Sequence, residues 1–156
     1  MKKERWWFAA VLLGIAVFVI WYAHSPGYYH NRVMTPTLSS YYLQLESVSS
    51  YRDAEKFINR IKVEPLDVKT DQNHRDVTVM VYVIMNDSFT RLTEEQADER
   101  MEKMAADLRL LNERAREDAG VPEAEKKCEE KGKITVTDTF QLYCQTKDGE
   151  FMFPRD

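Results

Sequence analysis

The sequence predicts an α+β protein: a single N-terminal transmembrane helix, then one small extracytoplasmic domain whose elements run βαββαβ. Three observations carry that expectation. Residues 6–23, WWFAAVLLGIAVFVIWYA, form an apolar run without a charge. The chain beyond them, to residue 156, is long enough for one domain with its own core. Within that remainder, apolar residues recur with period two in some segments and at helical spacing in others.

The apolar run comes first. At about 1.5 Å per residue it would extend roughly 27 Å as a helix, close to the ~30 Å hydrocarbon core of a bilayer. A helix satisfies its peptide groups internally, as that core demands. Trp6 and Trp7 mark one membrane interface, and Trp21 and Tyr22 mark the other. Lys2, Lys3 and Arg5 precede the run, so the positive-inside bias puts residues 1–5 in the cytoplasm. The rest of the chain then lies across the membrane, in the periplasm if the cell is bacterial. A cleaved signal peptide is the competing reading. The run is longer than an ordinary signal core, its end is bulky (Val19, Ile20, Trp21, Tyr22), and no A-x-A-like cleavage site appears. Ala10 and Gly14 have small-xxx-small spacing, which suits either a homodimer face or lipid-facing filler.

Residues 24–37 read as a short stalk, punctuated by Pro26-Gly27 and Pro36. Residues 38–49 read as a strand, with Tyr41, Leu43 and Leu45 alternating against Tyr42, Gln44 and Glu46. Ser50 is then an N-cap, and Ala54, Phe57, Ile58 and Ile61 follow at helical spacing. Residues 63–69 form a short strand, which Pro65 confines to an edge or a late start. Residues 77–85, VTVMVYVIM, are apolar on both faces and belong at the centre of a sheet.

Residues 93–119 are the longest soluble helix, opened by a capping box at Thr93 and Gln96 and stopped by Gly120 and Pro122. Its stripe of Ala97, Met101, Met104, Leu108, Leu111 and Ala115 suits packing on the sheet, with a short coiled-coil seam as the alternative. A charged segment, 123–133, leads to the last long strand, 134–145. Ile134, Val136, Phe140, Leu142 and Cys144 share one register there, and Asp138 interrupts it, which suggests a bulge. Asp148-Gly149 turns the chain into a short hairpin partner. This order is the split βαβ, ferredoxin-like arrangement. Helices would cover one sheet face and leave Tyr42, Gln44, Glu46, Thr78, Met80, Tyr82, Thr139, Gln141 and Tyr143 on the other.

Composition narrows the function. Lys and Arg number 22 against 26 Asp and Glu, a net charge of -4, and no basic stripe appears, so nucleic acid is not expected as a partner. No G-x-S-x-G, H-E-x-x-H or P-loop is present, and His24, His30 and His74 surround no nucleophile. No catalytic residue, metal or cofactor is therefore expected. Cys128 and Cys144 lie in an oxidising compartment under this topology. A disulfide between them would contribute roughly 3 kcal/mol in the chain-entropy model, and two separate thiols are the alternative.

One stretch suggests a family. Tyr42-Leu43-Gln44-Leu45-Glu46-Ser47-Val48-Ser49-Ser50, followed by Asp53-Ala54-Glu55 and Phe57, resembles the opening of SPOR domains, which read aromatic-x-V-Q-L-G-S-F before a helix. The resemblance spans residues 42–57. It implies a peptidoglycan-binding module for glycan strands lacking stem peptides, with Gln44 and Ser47 on the binding face. Glu46 stands where the family has glycine, Val48 where it has phenylalanine, and Asn86-Asp87-Ser88-Phe89 where it has a G-P-F motif.

Two functions follow as expectations. The first is a non-catalytic interaction domain in an assembly component of a cell-envelope machine, of divisome, secretion or pilus type, with other envelope proteins as partners. The second is glycan binding. Tyr42, Gln44, Ser47, Tyr82, Gln141 and Tyr143 supply the aromatic, amide and hydroxyl groups that either partner would need.

Overall fold

The structure, a computed structural model, describes residues 2–53 and 56–153. It is an α+β protein with a four-stranded mixed sheet and an N-terminal apolar helix. Helix α1 is Lys2–Ala23. Its segment Trp6–Ala23 has a mean hydropathy of 2.1 and is long and apolar enough to cross a membrane. None of that segment is buried against the protein.

The chain does not leave α1 through an irregular stalk. Ser25 caps a new helical rod made of α2 (Pro26–Tyr29), a π-helical turn (His30–Met34) and α3 (Thr35–Gln44), continued after Leu45 by α4 (Glu46–Ser49). The expected stalk at 24–37 and the expected strand at 38–49 are both helical. The prolines permit this because each falls in the first turn of its helix, where a missing N–H costs little. The π-helical turn directly before Pro36 widens the rod where the proline ring would otherwise meet the preceding turn. Residues 41–46 satisfy two periodicities at once. Met34, Leu38, Tyr41, Leu45 and Val48 make a helical stripe that is fully or almost fully buried, whereas Leu43, which alternation would have buried, is 78% exposed.

The second correction concerns residues 50–62, expected as a helix. Ile58–Val68 is strand β1, and Ala54 lies outside the described residues. Ile58, Ile61, Val63 and Val68 are β-branched and suit a pleated surface. The pairing of β1 with β2 (His74–Met85) also gives the central strand its antiparallel neighbour. Pro65 sits, as expected, on an edge strand.

Thr93 opens α5 (Glu94–Asp118) with both capping-box bonds formed. Gly120, at φ 73°, turns the chain through a left-handed conformation that favours glycine. Pro122 then lies in the first turn of α6 (Val121–Glu130), so most of the charged segment is helical. Strands β3 (Thr135–Thr146) and β4 (Gly149–Phe153) complete the sheet as a hairpin. The strand order is β1-β2-β3-β4, antiparallel, parallel and antiparallel in turn, with α5 and α6 forming the crossover between β2 and β3. The order βαββαβ is replaced by helical rod, two strands, two helices and two strands.

The core lies between one sheet face and the helices. Val77, Val79, Val81 and Val83 of β2 are fully buried, and Leu142 and Cys144 of β3 stand beside Val81 and Val83. Met101, Met104, Leu108 and Ala115 of α5 are buried with them, so the predicted stripe packs within the domain. Asp138 causes no bulge: the β2–β3 register runs unbroken past it, opposite Val77. It instead forms an ion pair with Arg116 of α5, whose guanidinium also donates to both carboxylate oxygens of Glu125 at 3.0 and 2.9 Å. The sheet's irregularity falls between Ile58 and Arg60 of β1.

Both cysteines are buried and no disulfide joins them, against the expected bridge. The Cys128 carbonyl accepts a hydrogen bond from the Lys133 N–H at 3.0 Å, which fixes it beside the start of β3. Cys144 lies eleven residues beyond Lys133, or ~36 Å of extended chain, whereas bridged Cα atoms stand under about 7 Å apart. The Cys144 thiol contacts Met101 Sδ at 3.6 Å instead. A reducing agent is expected to leave Tm unchanged; a fall on reduction would show a bridge.

His30 is 1% exposed, and neither ring nitrogen has a hydrogen-bond partner among the described residues. Burial, and then the charges of Lys69 and Arg75, hold its pKa below the ordinary value of 6.5. The unfolded chain therefore binds this proton more readily than the folded one. Stability is expected to fall as pH drops below about 6.5. Urea titrations of the parent and of His30→Gln between neutral and mildly acidic pH check this, since the variant should lose part of the slope. Equal slopes would remove His30 as the cause.

Candidate interaction face

Because the helices pack on the valine face of β2, its alternate residues point to the other side. Register then builds a surface in rows. One row is Lys62, Tyr82, Tyr143 and Met152 from β1, β2, β3 and β4. The next is Glu64, Met80 and Gln141, followed by Leu66, Thr78 and Thr139. Arg60, Ile84, Gln145 and Glu150 form the row on the other side of the tyrosines.

The centre of this surface is aromatic. Tyr82 and Tyr143 stack with ring centroids 5.3 Å apart and planes inclined by 21°. The Tyr143 hydroxyl donates to Gln141 Oε1 at 3.1 Å, and the Tyr82 hydroxyl rests on Met80 Sδ at 3.7 Å. These bonds fix the rings without using up the Gln141 amide donors. Leu66, at 52%, and Met152, at 43%, add exposed apolar surface on either side. Lys62 and Glu64 pair with each other at the β1 edge. Such a platform can receive apolar side chains or the apolar face of a sugar ring, with amide and hydroxyl groups at its margin.

Where β2 begins, His74 Nε2 lies 2.8 Å from Asp76 Oδ1 and 3.1 Å from Thr137 Oγ1. Thr70 donates to the same carboxylate at 2.8 Å, and that bond, then the one with His74, holds the Asp76 pKa below its ordinary value. The histidines remain dispersed. His24 Nδ1 is 2.8 Å from the Ile20 carbonyl, while His30 is enclosed in the core. No group of three or more metal-ligating side chains occurs among the described residues.

Of the residues singled out from sequence, Tyr82, Gln141 and Tyr143 meet on this face, together with Thr78, Met80 and Thr139. Tyr42, Gln44 and Ser47 do not join them. They sit on α3 and α4, in the helical layer against the opposite sheet face, as does Glu46. Tyr42 is half-buried there, and burial, then Asp67, push its phenol up. The residues carrying the SPOR resemblance thus lie mainly in helices and in the turn before β1. Arg60, Leu66 and Met152 were not read as part of the face. For Arg60 and Leu66 the missing signal was the strand character of 58–68, which would have supplied the register.

The aromatics expected at membrane interfaces stand on α1, with Trp6 and Trp7 about three-quarters exposed and Trp21 nearly two-thirds exposed. Tyr22 meets Tyr28 edge-on at 6.1 Å, joining α1 to α2 through aromatic contact. Gly14 has no neighbour within 4 Å of where a Cβ would stand, so the small residues of α1 are unpacked in the monomer.

Comparison of the chain with protein-family models, with curated proteins and with solved structures finds no match.

Proposed function

We propose that this chain is a bitopic inner-membrane protein with its N-terminus in the cytoplasm and its domain in the periplasm. The domain is a non-catalytic interaction module of a cell-envelope machine of divisome, secretion or pilus type. The observation that carries this reading is the uncovered sheet face built around Tyr82 and Tyr143, on a domain that follows directly from an apolar helix of spanning length. Apolar surface of this kind, rimmed by charges, is what a protein partner buries.

Photo-crosslinking in living cells tests the reading. A photoreactive residue at Met80 or Tyr82 is expected to capture an envelope protein, whereas one at Leu110, on the helical side, is not. Tyr82→Ala with Tyr143→Ala should abolish the product, since aromatic anchors at such a centre typically contribute about 2 kcal/mol or more each. Equal products from all positions, or none, would overturn the reading.

The stacked tyrosines beside Gln141 also favour a second ligand for the same face, the glycan strands of peptidoglycan. Co-sedimentation of the full chain in detergent with native and amidase-treated sacculi separates the two. Binding that rises on removal of stem peptides and falls in Tyr82→Ala supports the glycan. A folded protein that stays in the supernatant rules it out.

A further inference from the structure

A second surface, which shares Arg60 with the rim of the open sheet face, lies at the free edge of β1. A cleft of about 360 Å³ opens there between the start of the strand and the segment that follows α4. Its apolar lining comes from Tyr51, Ile58 and Ile61, and its charge from Arg52, Lys56 and Arg60. Arg60 and Ile61 are neighbours in a strand, so their side chains leave opposite faces of the sheet. A cleft that touches both must run along the strand's edge.

The backbone there is set in place and left open. Lys56 adopts φ 59°, a left-handed conformation costly for a lysine, and is the only such non-glycine among the described residues. Its N–H donates to the Asp53 carbonyl at 3.1 Å, and its carbonyl accepts from Asn86 Nδ2 at 2.5 Å. The Phe57 N–H donates to Asp53 Oδ2 at 2.6 Å. These bonds fix Lys56 beside the cleft. Just beyond it, the β1–β2 register shifts between Ile58 and Arg60. Strand β1 has a neighbour on one side only, so its other side presents unpaired peptide groups.

The charges are unusual for this chain. The protein carries a net charge of -4, yet three cations converge on one cleft, and Asp53 is the one carboxylate among the described residues of its lining. Neither Lys56 nor Arg60 forms an ion pair among the described residues. Arg52 uses Nη1 on the Ser50 and Tyr51 carbonyls, at 3.3 and 3.1 Å. Three cations beside a strand edge and an apolar floor fit an extended segment whose side chains alternate between acidic and apolar. A second copy of β1 would set the same cations against one another. Pro65, further along the strand, has no N–H and limits such pairing to the first part of β1.

We propose that this cleft receives an acidic, extended segment of a partner protein, added as a fifth strand along the beginning of β1. Its carboxylates meet Arg52, Lys56 and Arg60, and an apolar side chain enters between Tyr51 and Ile61. The test uses the full chain in detergent micelles and a fluorescent hexapeptide alternating aspartate and valine. Saturable binding is expected, with none for the matching lysine–valine peptide. Amide exchange should slow at residues 59–62 on binding. Lys56→Glu and Arg60→Glu should each weaken binding roughly tenfold or more, whereas Lys127→Glu, on α6, should not. All three side chains are exposed, so these variants leave the core intact. Failure of the folded chain to bind the acidic peptide would overturn the proposal. So would displacement of the peptide by equimolar inorganic phosphate, which would make the cleft a simple anion site, or equal binding by all the variants.

Discussion

Arg116→Ala is expected to lower the stability of the domain by about 3 kcal/mol, the lower end of what removing one partner from a buried ion pair costs. The Arg116 side chain is 16% exposed, and it pairs with both Glu125 of α6 and Asp138 of β3. Its guanidinium also lies 5.9 Å from the centre of the Tyr41 ring. Tyr41 is fully buried and donates to Asn112 Oδ1 at 2.6 Å. Burial pushes its phenol up to about 12, so it remains a donor at neutral pH. Arg116 therefore joins the helical rod, the crossover helices and the sheet at one point. Without it, the partly buried Glu125 and Asp138 carboxylates lose their shared counter-charge. Urea unfolding of the variant checks the magnitude, with Glu125→Gln and Asp138→Asn added to relieve the uncompensated charge and recover part of the loss. A change below about 1 kcal/mol would place this cluster with ordinary surface ion pairs.

A larger loss is expected from removing the rod itself. A chain beginning at Pro26 should fold cooperatively, and one beginning at Ser50 should not. Six apolar side chains from the rod and its extension are buried: Tyr29, Met34, Leu38, Tyr41, Leu45 and Val48. At about 1.5–3 kcal/mol each, they contribute about 10 kcal/mol or more, comparable with the whole stability of a typical small domain. Their loss would also uncover the valine face of β2 and leave Asn112 without its Tyr41 donor. Far-UV circular dichroism and limited proteolysis of the two chains decide it. Cooperative unfolding of the shorter chain would show that the rod is an accessory.

The rod and β1 also mark where local pattern was insufficient. Residues 41–46 satisfy alternation and helical spacing together. Which one governs depends on whether Leu43 or the Leu38–Tyr41–Leu45 stripe finds a surface to cover, and α5 supplies that surface to the stripe. Residues 54–61 show helical spacing, but the strand from Ile58 gains a ladder with β2 that no local pattern records. Asp138 looked like a break in a strand because its counter-charge, Arg116, is twenty-two residues away in the chain.

Local pattern alone sets the apolar helix, the central strand at 77–85, the capped helix from Thr93 and the alternation that puts Gln141 and Tyr143 on one side of their strand. Each is set by neighbours within a few turns or by strict period, so no distant partner is needed. Long-range contacts select the parallel pairing of β2 with β3, which brings Tyr82 beside Tyr143. They also select the helical rod in place of a stalk and strand, the separation of the cysteines and the edge position of the cationic cleft. Those outcomes depend on which surfaces meet across long chain separations, and the free energy of burial and pairing that selects them has no local signature.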